Sequence, residues 1–229
     1  MTNTDSEKQL AAKRAVQYVE SGMRVGLGSG STSAWAVRFL GERVQREGLQ
    51  IVGVPTSSAT RQIAIEVGIP LLEDLADFQL DLAIDGADQT TRRGEIIKGG
   101  GGALLQERIV AAAAKRFIVI ADSSKLVDRL GGFPVPVEVF QLGWKNVQRK
   151  LRSLAVEPAL RVNKLGQPFV TDEGNYILDC PFAGETLLGA EQLARQIREI
   201  PGVADHGIFL NMAQLLVIAR GDKVEEIRC

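Results

Sequence analysis

Arg24-Val25-Gly26-Leu27-Gly28-Ser29-Gly30-Ser31-Thr32 decides the fold. A short apolar run passes, with no polar linker, into alternating glycines and hydroxyls. Trp35, Phe39, Leu40 and Val44 follow at helical spacing. That is a strand, a tight turn and a helix. The same pattern repeats down the chain. Residues 51–54 read as a second strand, and Thr56-Ser57-Ser58-Ala59-Thr60 opens a helix through residue 67. Residues 80–84 form another buried strand, ending in Asp85-Gly86-Ala87-Asp88. A turn over 91–95, a brief strand at 96–97, a helix over 103–114 and a strand over 117–121 close the series. Strands alternating with helices across short turns imply an α/β fold with a mostly parallel sheet. At the start, Thr4-Asp5-Ser6-Glu7 has the spacing of a capping box, and Leu10, Ala11, Ala15, Val16 and Val19 continue as a helix that Gly22 ends.

The texture changes near Leu130-Gly131-Gly132-Phe133-Pro134. Residues 135–140 read as a strand, 144–154 as a helix, 160–162, 169–171 and 176–178 as strands, and 187–200 as a helix. This β-α-β-β-α order suits a small α+β domain of ferredoxin-like type. Residues 207–210 and 215–219 read as strands returning to the first sheet. Two domains are therefore expected, one of residues 1–130 with 206–229 and a smaller one of residues 131–205.

A chain of 229 residues supports a sizeable core. Its net charge of −1 provides no global field for nucleic acid or an anionic membrane, so an anionic ligand needs a local site. No apolar run approaches the roughly 18 to 20 residues that span a bilayer. The first eight residues carry Asp5 and Glu7 and no apolar stretch, so neither a secretory leader nor a transit peptide is expected. Cys180 and Cys229 stand far apart without metal-ligand neighbours and read as free thiols of a reducing compartment. The expected location is the cytoplasm.

Chemistry concentrates in four places. In Lys98-Gly99-Gly100-Gly101-Gly102-Ala103, four consecutive glycines cost backbone entropy and precede a helix start, the layout of an anion site with a lysine beside it. Glu107 lies about one turn, roughly 6 Å, further along that helix and stays within reach of the loop's ligand. Asp85 and Asp88 sit at the carboxyl end of a buried strand, where open α/β sheets place ligands. The Gly28–Thr32 turn exposes N–H groups and the Ser29, Ser31 and Thr32 hydroxyls at a helix start, which favours phosphate over a plain turn. It is not a dinucleotide fingerprint: position 31 is Ser, and Val54-Pro55-Thr56-Ser57 supplies no acid for a ribose. Lys125 follows the last strand of the series. His206 is the sole histidine and reads as a structural polar group, so no histidine triad or zinc site is available. Carboxylates and lysines remain as the reactive groups, with no metal and no cofactor.

Taken in order, Gly28-Ser29-Gly30-Ser31-Thr32, Pro55-Thr56-Ser57, Asp85-Gly86-Ala87-Asp88, Lys98-Gly99-Gly100-Gly101-Gly102-Ala103-Leu104, Ala121-Asp122-Ser123-Ser124-Lys125 and Pro201-Gly202-Val203 with His206-Gly207 closely resemble ribose-5-phosphate isomerases of type A. The resemblance implies a Rossmann-like α/β domain with an inserted α+β domain. It also implies metal-free interconversion of ribose 5-phosphate and ribulose 5-phosphate through an enediolate, in the non-oxidative pentose phosphate pathway. By the same resemblance Glu107 is the base, while Lys98 and the Gly99, Gly100 and Gly101 amides stabilise developing charge. Asp85 and Asp88 handle hydroxyl protons, with Gly86 and Ala87 between them. Ser29, Gly30, Ser31, Thr32 and Lys125 grip the substrate. The phosphate is expected on the Ser31–Thr32 helix start, the Lys98 loop being the alternative. A homodimer or homotetramer is expected, with no nucleic-acid or membrane partner. Three positions depart from the family pattern: Ser29 for Thr, Gln89 for Glu and Gln106 for Arg. Two rivals share such a fold, a sugar-phosphate sensor and a coenzyme A transferase. The sensor needs a helix-turn-helix module that about 23 residues before the first strand do not supply.

Overall fold

The structure is a computed structural model that describes residues 3–154, 157–181 and 189–229. Its main sheet contains β1 (Arg24–Leu27), β2 (Val52–Pro55), β3 (Leu82–Gly86), β6 (Phe117–Asp122) and β12 (Leu215–Arg220), all parallel, with β13 (Lys223–Arg228) antiparallel at one edge. The spatial order is β13-β12-β6-β3-β1-β2. In register, Leu27 lies opposite Pro55 on one side and Ile84 on the other. The carboxyl ends of β1, β2 and β3 are therefore level, and Gly28, Thr56 and Asp85 emerge side by side.

Helices α1 (Asn3–Ala15), α2 (Gly30–Glu47) and α3 (Ser58–Glu66) cover one face of this sheet. Ile118, Ile120, Leu215 and Val217 point to that side, against Ala11, Ala15, Val37 and Leu40. Val119, Ala121, Leu216 and Ile218 point the other way, toward Val110 and Ala111 of α4 (Leu104–Ala112). Alternation on a sheet covered on both sides gives continuous apolar strands, which is why β6 is buried at every residue. Each such aliphatic side chain contributes roughly 1.5–3 kcal/mol by leaving water.

The smaller sheet is antiparallel, built from β7 (Val135–Val139), β8 (Ala159–Leu160), β9 (Tyr176–Cys180) and β10 (Val203–His206) in the order β10-β7-β9-β8. With α5 (Trp144–Arg152) after β7 and α6 (Ala190–Arg198) after β9, this is the ferredoxin-like βαββαβ arrangement. A third sheet of β4 (Gln89–Thr90), β5 (Ile96–Ile97) and β11 (Ile208–Phe209) links the two. Ile96 and Phe209 pack into a core of the main sheet, whereas Ile97 and Ile208 pack into that of the smaller one. Lys98 leaves this junction directly.

Four details differ from the sequence reading. Thr4 already lies inside α1, and Glu7 does not reach back as a capping box requires. Instead its carboxylate is buried and accepts from Ser123 N–H and Oγ (both 2.9 Å) and from Gly221 N–H (2.8 Å). Ile208–Phe209 pairs with β5, not with the first sheet. Within residues 169–171 only Val170 forms an isolated bridge, to Tyr176, and there is no strand, and β10 and β13 were not foreseen. Of the last predicted helix, residues 187 and 188 lie outside the described residues. No helix among the described residues is long and apolar enough to cross a membrane.

Candidate active site

The chain leaves β1 toward β2 on one side and returns to β3 on the other. Such a switch point opens a crevice at the carboxyl ends of the two strands. The Gly28–Thr32 turn and Asp85 meet there. Asp85 Oδ1 accepts from Ser29 N–H (2.9 Å), Ser33 Oγ (2.9 Å) and Gly86 N–H (2.7 Å). The approach demands glycine at position 28, since a Cβ there would lie 2.1 Å from Asp85 Oδ1. With Oδ1 saturated, Oδ2 faces Lys98 Nζ at 3.1 Å.

Lys98 is held from behind, its N–H donating to Gly207 O (2.9 Å) in the third-sheet junction. Its side chain is 2% exposed, and its ammonium donates to Gly86 O and forms ion pairs with Asp85 Oδ2 and, at 3.3 Å, with Glu107 Oε1. Burial alone would push the Lys98 pKa down, but the Asp85 and Glu107 charges overturn this and hold it above its ordinary range. Glu107 lies in the first turn of α4, where its N–H bonds Ala103 O (3.0 Å). Burial pushes its carboxyl from 4.5 up to about 8, with Lys98 opposing and Asp85 reinforcing the rise. Glu107 Oε2 has no hydrogen-bond partner. A buried carboxyl poised near neutral pH, with one oxygen unengaged, is equipped to accept a proton from carbon.

The glycine run has more than one cause. Gly100 N–H donates to Asp88 Oδ2 (2.7 Å), and a Cβ at Gly100 would sit 2.5 Å from Asp88 Oδ1. At Gly101 nothing lies within 4 Å of a Cβ, and this residue faces the cleft, so a side chain there would occupy ligand space.

The same cleft takes in the first turn of α2 and two lysines, Lys8 and Lys125. Ser29 is the N-cap of α2, yet its side chain does not cap the helix. Its hydroxyl joins those of Thr56 (2.7 Å), Ser57 (2.7 Å) and Thr60 (3.1 Å). The first-turn N–H groups of α2 therefore meet no capping side chain, a ready seat for an anion. Lys8 arrives through its neighbour: the Glu7 bonds to Ser123 and Gly221 draw α1 against the ends of β6 and β12, where Lys125 also stands.

The structure thus brings Asp85, Asp88, Lys98 and Glu107 together, with Ser29, Gly30, Ser31, Thr32, Gly86, Ala87, Gly99, Gly101 and Lys125 along the cleft. Asp85 is buried beneath it, and Gly100 is exposed beside it. Lys8 and Ser33 escaped the sequence reading. Lys8 is one charge among several on α1, and its place depends on a tertiary contact that no local pattern encodes. Gln89 accepts from Gly131 N–H (3.0 Å) and Gln106 donates to Glu173, so these departures make structural contacts. His206 is buried, accepts from Ile208 N–H (3.2 Å), and is pushed down to about 3 by burial together with Arg108 and Arg198. It stays neutral. Among the described residues no group of three or more His, Cys, Asp or Glu is arranged to hold a metal.

A family model described as ribose 5-phosphate isomerase A (phosphoriboisomerase A) matches residues 52–223. A Synechococcus sp. protein named ribose-5-phosphate isomerase A is 47% identical, over 100% of this chain and 99% of its own. Among solved structures, ribose 5-phosphate isomerase A from Methanocaldococcus jannaschii superposes with a TM-score of 0.92 at 37% identity, covering 98% of this chain and 99% of that one. A D-ribose-5-phosphate isomerase in complex with phospho-erythronic acid gives 0.94 at 35% identity, covering 99% of both chains.

Proposed function

The chain belongs to the ribose 5-phosphate isomerase A family, and on that premise we propose how its cleft divides the work of the reaction. The reaction interconverts D-ribose 5-phosphate and D-ribulose 5-phosphate, an aldose–ketose isomerisation. Its difficulty is a proton on C2 beside an aldehyde, which an ordinary exposed carboxylate removes poorly. Glu107 takes that proton on Oε2, leaving an enediolate, and returns it to C1. Protonation of Glu107 dissolves its pairing with Lys98. One ammonium proton then becomes free to meet the enediolate oxygen just as negative charge develops there. The Gly99 and Gly101 amides assist, while Gly100 N–H holds Asp88.

Asp88, half-exposed at the cleft, handles hydroxyl protons, including ring opening. Asp85 keeps Lys98 charged and aimed. The phosphate rests on the first turn of α2 between Lys8 and Lys125, because the Lys98 charge is already committed to two carboxylates. The same reading makes the protein a cytoplasmic homodimer or homotetramer without nucleic-acid or membrane partners, divided into residues 1–130 with 206–229 and residues 131–205. Exposed Phe140 (52%) and Leu142 (91%) support self-association.

The observation that carries the mechanism is the buried chain Asp85–Lys98–Glu107 with Oε2 open. Its test is ribulose 5-phosphate formation by the purified protein in excess chelator. Full activity is expected. Activity that vanishes and returns only with a divalent ion contradicts it.

A further inference from the structure

Arg161 follows β8 and belongs to the smaller sheet, yet its guanidinium reaches the catalytic loop. Nη1 donates to Gly99 O (2.8 Å) and Gly100 O (3.1 Å). The other edge of the fork is fixed by Asp179 of β9, which accepts from Nε (2.9 Å) and from Nη2. The backbone of Arg161 is pinned as well, its N–H donating to Ile177 O (2.8 Å) and its carbonyl accepting from Phe169 N–H (2.9 Å). The side chain is 14% exposed and does not face the substrate cleft.

The consequence follows from peptide geometry. In a trans peptide the carbonyl and the next residue's N–H share one plane and point in opposite directions. Holding Gly99 O and Gly100 O on the side of the smaller sheet therefore turns Gly100 N–H and Gly101 N–H away from it. Gly100 N–H indeed meets Asp88, and Gly101 faces the cleft. Gly102 N–H also donates to Gly99 O (3.0 Å), closing the run as a turn, but four glycines add little rigidity beyond that, so the external clamp on two successive carbonyls fixes where these donors point.

We propose that Arg161, braced by Asp179, is a positioning residue for the isomerisation, clamping the Gly99–Gly100 carbonyls so that Gly101 N–H is aimed at the enediolate before it forms while Gly100 N–H holds Asp88. This rests on the isomerase reading of the cleft. Lysine cannot replace it, because one ammonium cannot span a bidentate carboxylate and two carbonyls at once.

The test uses the full chain, with Arg161→Met, Arg161→Lys and Asp179→Asn. It compares kcat and KM for ribose 5-phosphate with inhibition by phospho-erythronic acid and by inorganic phosphate. Phospho-erythronic acid carries a planar carboxylate where the enediolate would lie, whereas phosphate probes only the anion seat. Misaiming loop donors should lower kcat of Arg161→Met about 10- to 100-fold, since losing a whole oxyanion donor costs about 10²- to 10³-fold. KM should stay within about twofold, because the loop acts on the transition state. Phospho-erythronic acid should weaken in step with kcat and phosphate should not. Arg161→Lys and Asp179→Asn should move in the same direction by less, and they carry the test if the Met variant does not fold. A kcat within about threefold of wild type in the folded variants overturns the proposal, as does equal weakening of both inhibitors. Wild-type protein that does not isomerise ribose 5-phosphate overturns the isomerase reading and this inference together. Active wild type with unaffected variants overturns this inference alone.

Discussion

Replacing Glu107 with Gln removes the proposed base while keeping the side chain's shape. Lys98 retains Asp85 Oδ2 at 3.1 Å and Gly86 O, so the ammonium is not stranded. General bases contribute about 10²- to 10⁴-fold, and Glu107 belongs at the upper end because burial has raised its basicity toward the working pH. At 1.36 kcal/mol per tenfold, a loss of about 10⁴ in kcat is about 5 kcal/mol of transition-state stabilisation. KM should barely change, since Glu107 does not hold the phosphate. A second readout comes from stability. The folded carboxyl titrates near 8 and the unfolded one near 4.5, so between these values the native state binds the extra proton. The stability Glu107 contributes is therefore fully present below pH 4.5 and is lost as pH rises through about 8. Glu107→Gln does not titrate, so its stability relative to wild type should grow across that window, by at most about 5 kcal/mol because Lys98 and Asp85 share the titration. Initial rates of ketose formation and denaturant melts at several pH values measure both. A kcat within about tenfold of wild type would refute the assignment and pass the base to Asp85 or Asp88.

Thr32→Ala and Lys125→Ala should raise KM for ribose 5-phosphate with kcat nearly unchanged, because a phosphate seat binds ground and transition states alike. An unchanged KM in both moves the phosphate to the Lys98 loop. The pH dependence of kcat/KM reports the free enzyme, so it should climb through about 8 as Glu107 ionises, with Lys98 still protonated. A profile flat across that range contradicts a raised Glu107.

What the sequence made legible was whatever local chemistry enforces. Gly28 and the strand-end Asp85 could be read because close approach and strand termini leave marks in residue type. The hydroxyls from Thr56 to Thr60 were visible as a helix start, and Ser57 does cap α3, accepting from Thr60 N–H (3.1 Å). That they also tie down the Ser29 hydroxyl depends on β1 and β2 being adjacent, which no local pattern reveals. Glu7 misled for the opposite reason. Its spacing fits a capping box, but bonds to Ser123 and Gly221, more than a hundred residues away, took precedence. β10 is short and carries Asp205 and His206, so it has no apolar alternation to betray it, and its pairing with β7 is wholly tertiary. β13 has no alternation, because its two apolar residues, Val224 and Ile227, stand three apart and face opposite sides of the sheet, as suits a charged edge strand. Lys8 and Arg161 were illegible because their roles come from where α1 and the β8–β9 segment dock.

The central claim is that a proton, not a hydride, moves between C2 and C1 on Glu107. Isomerising ribose 5-phosphate in D2O and reading C1 of the ribulose 5-phosphate by NMR tests it most directly. Glu107 Oε2 is buried at the edge of the cleft, so part of the protium is carried from C2 to C1, and deuterium should enter C1 on one face and accumulate over repeated turnovers at equilibrium. Protium that persists undiluted at C1 after many turnovers at equilibrium would contradict the enediolate and the base together.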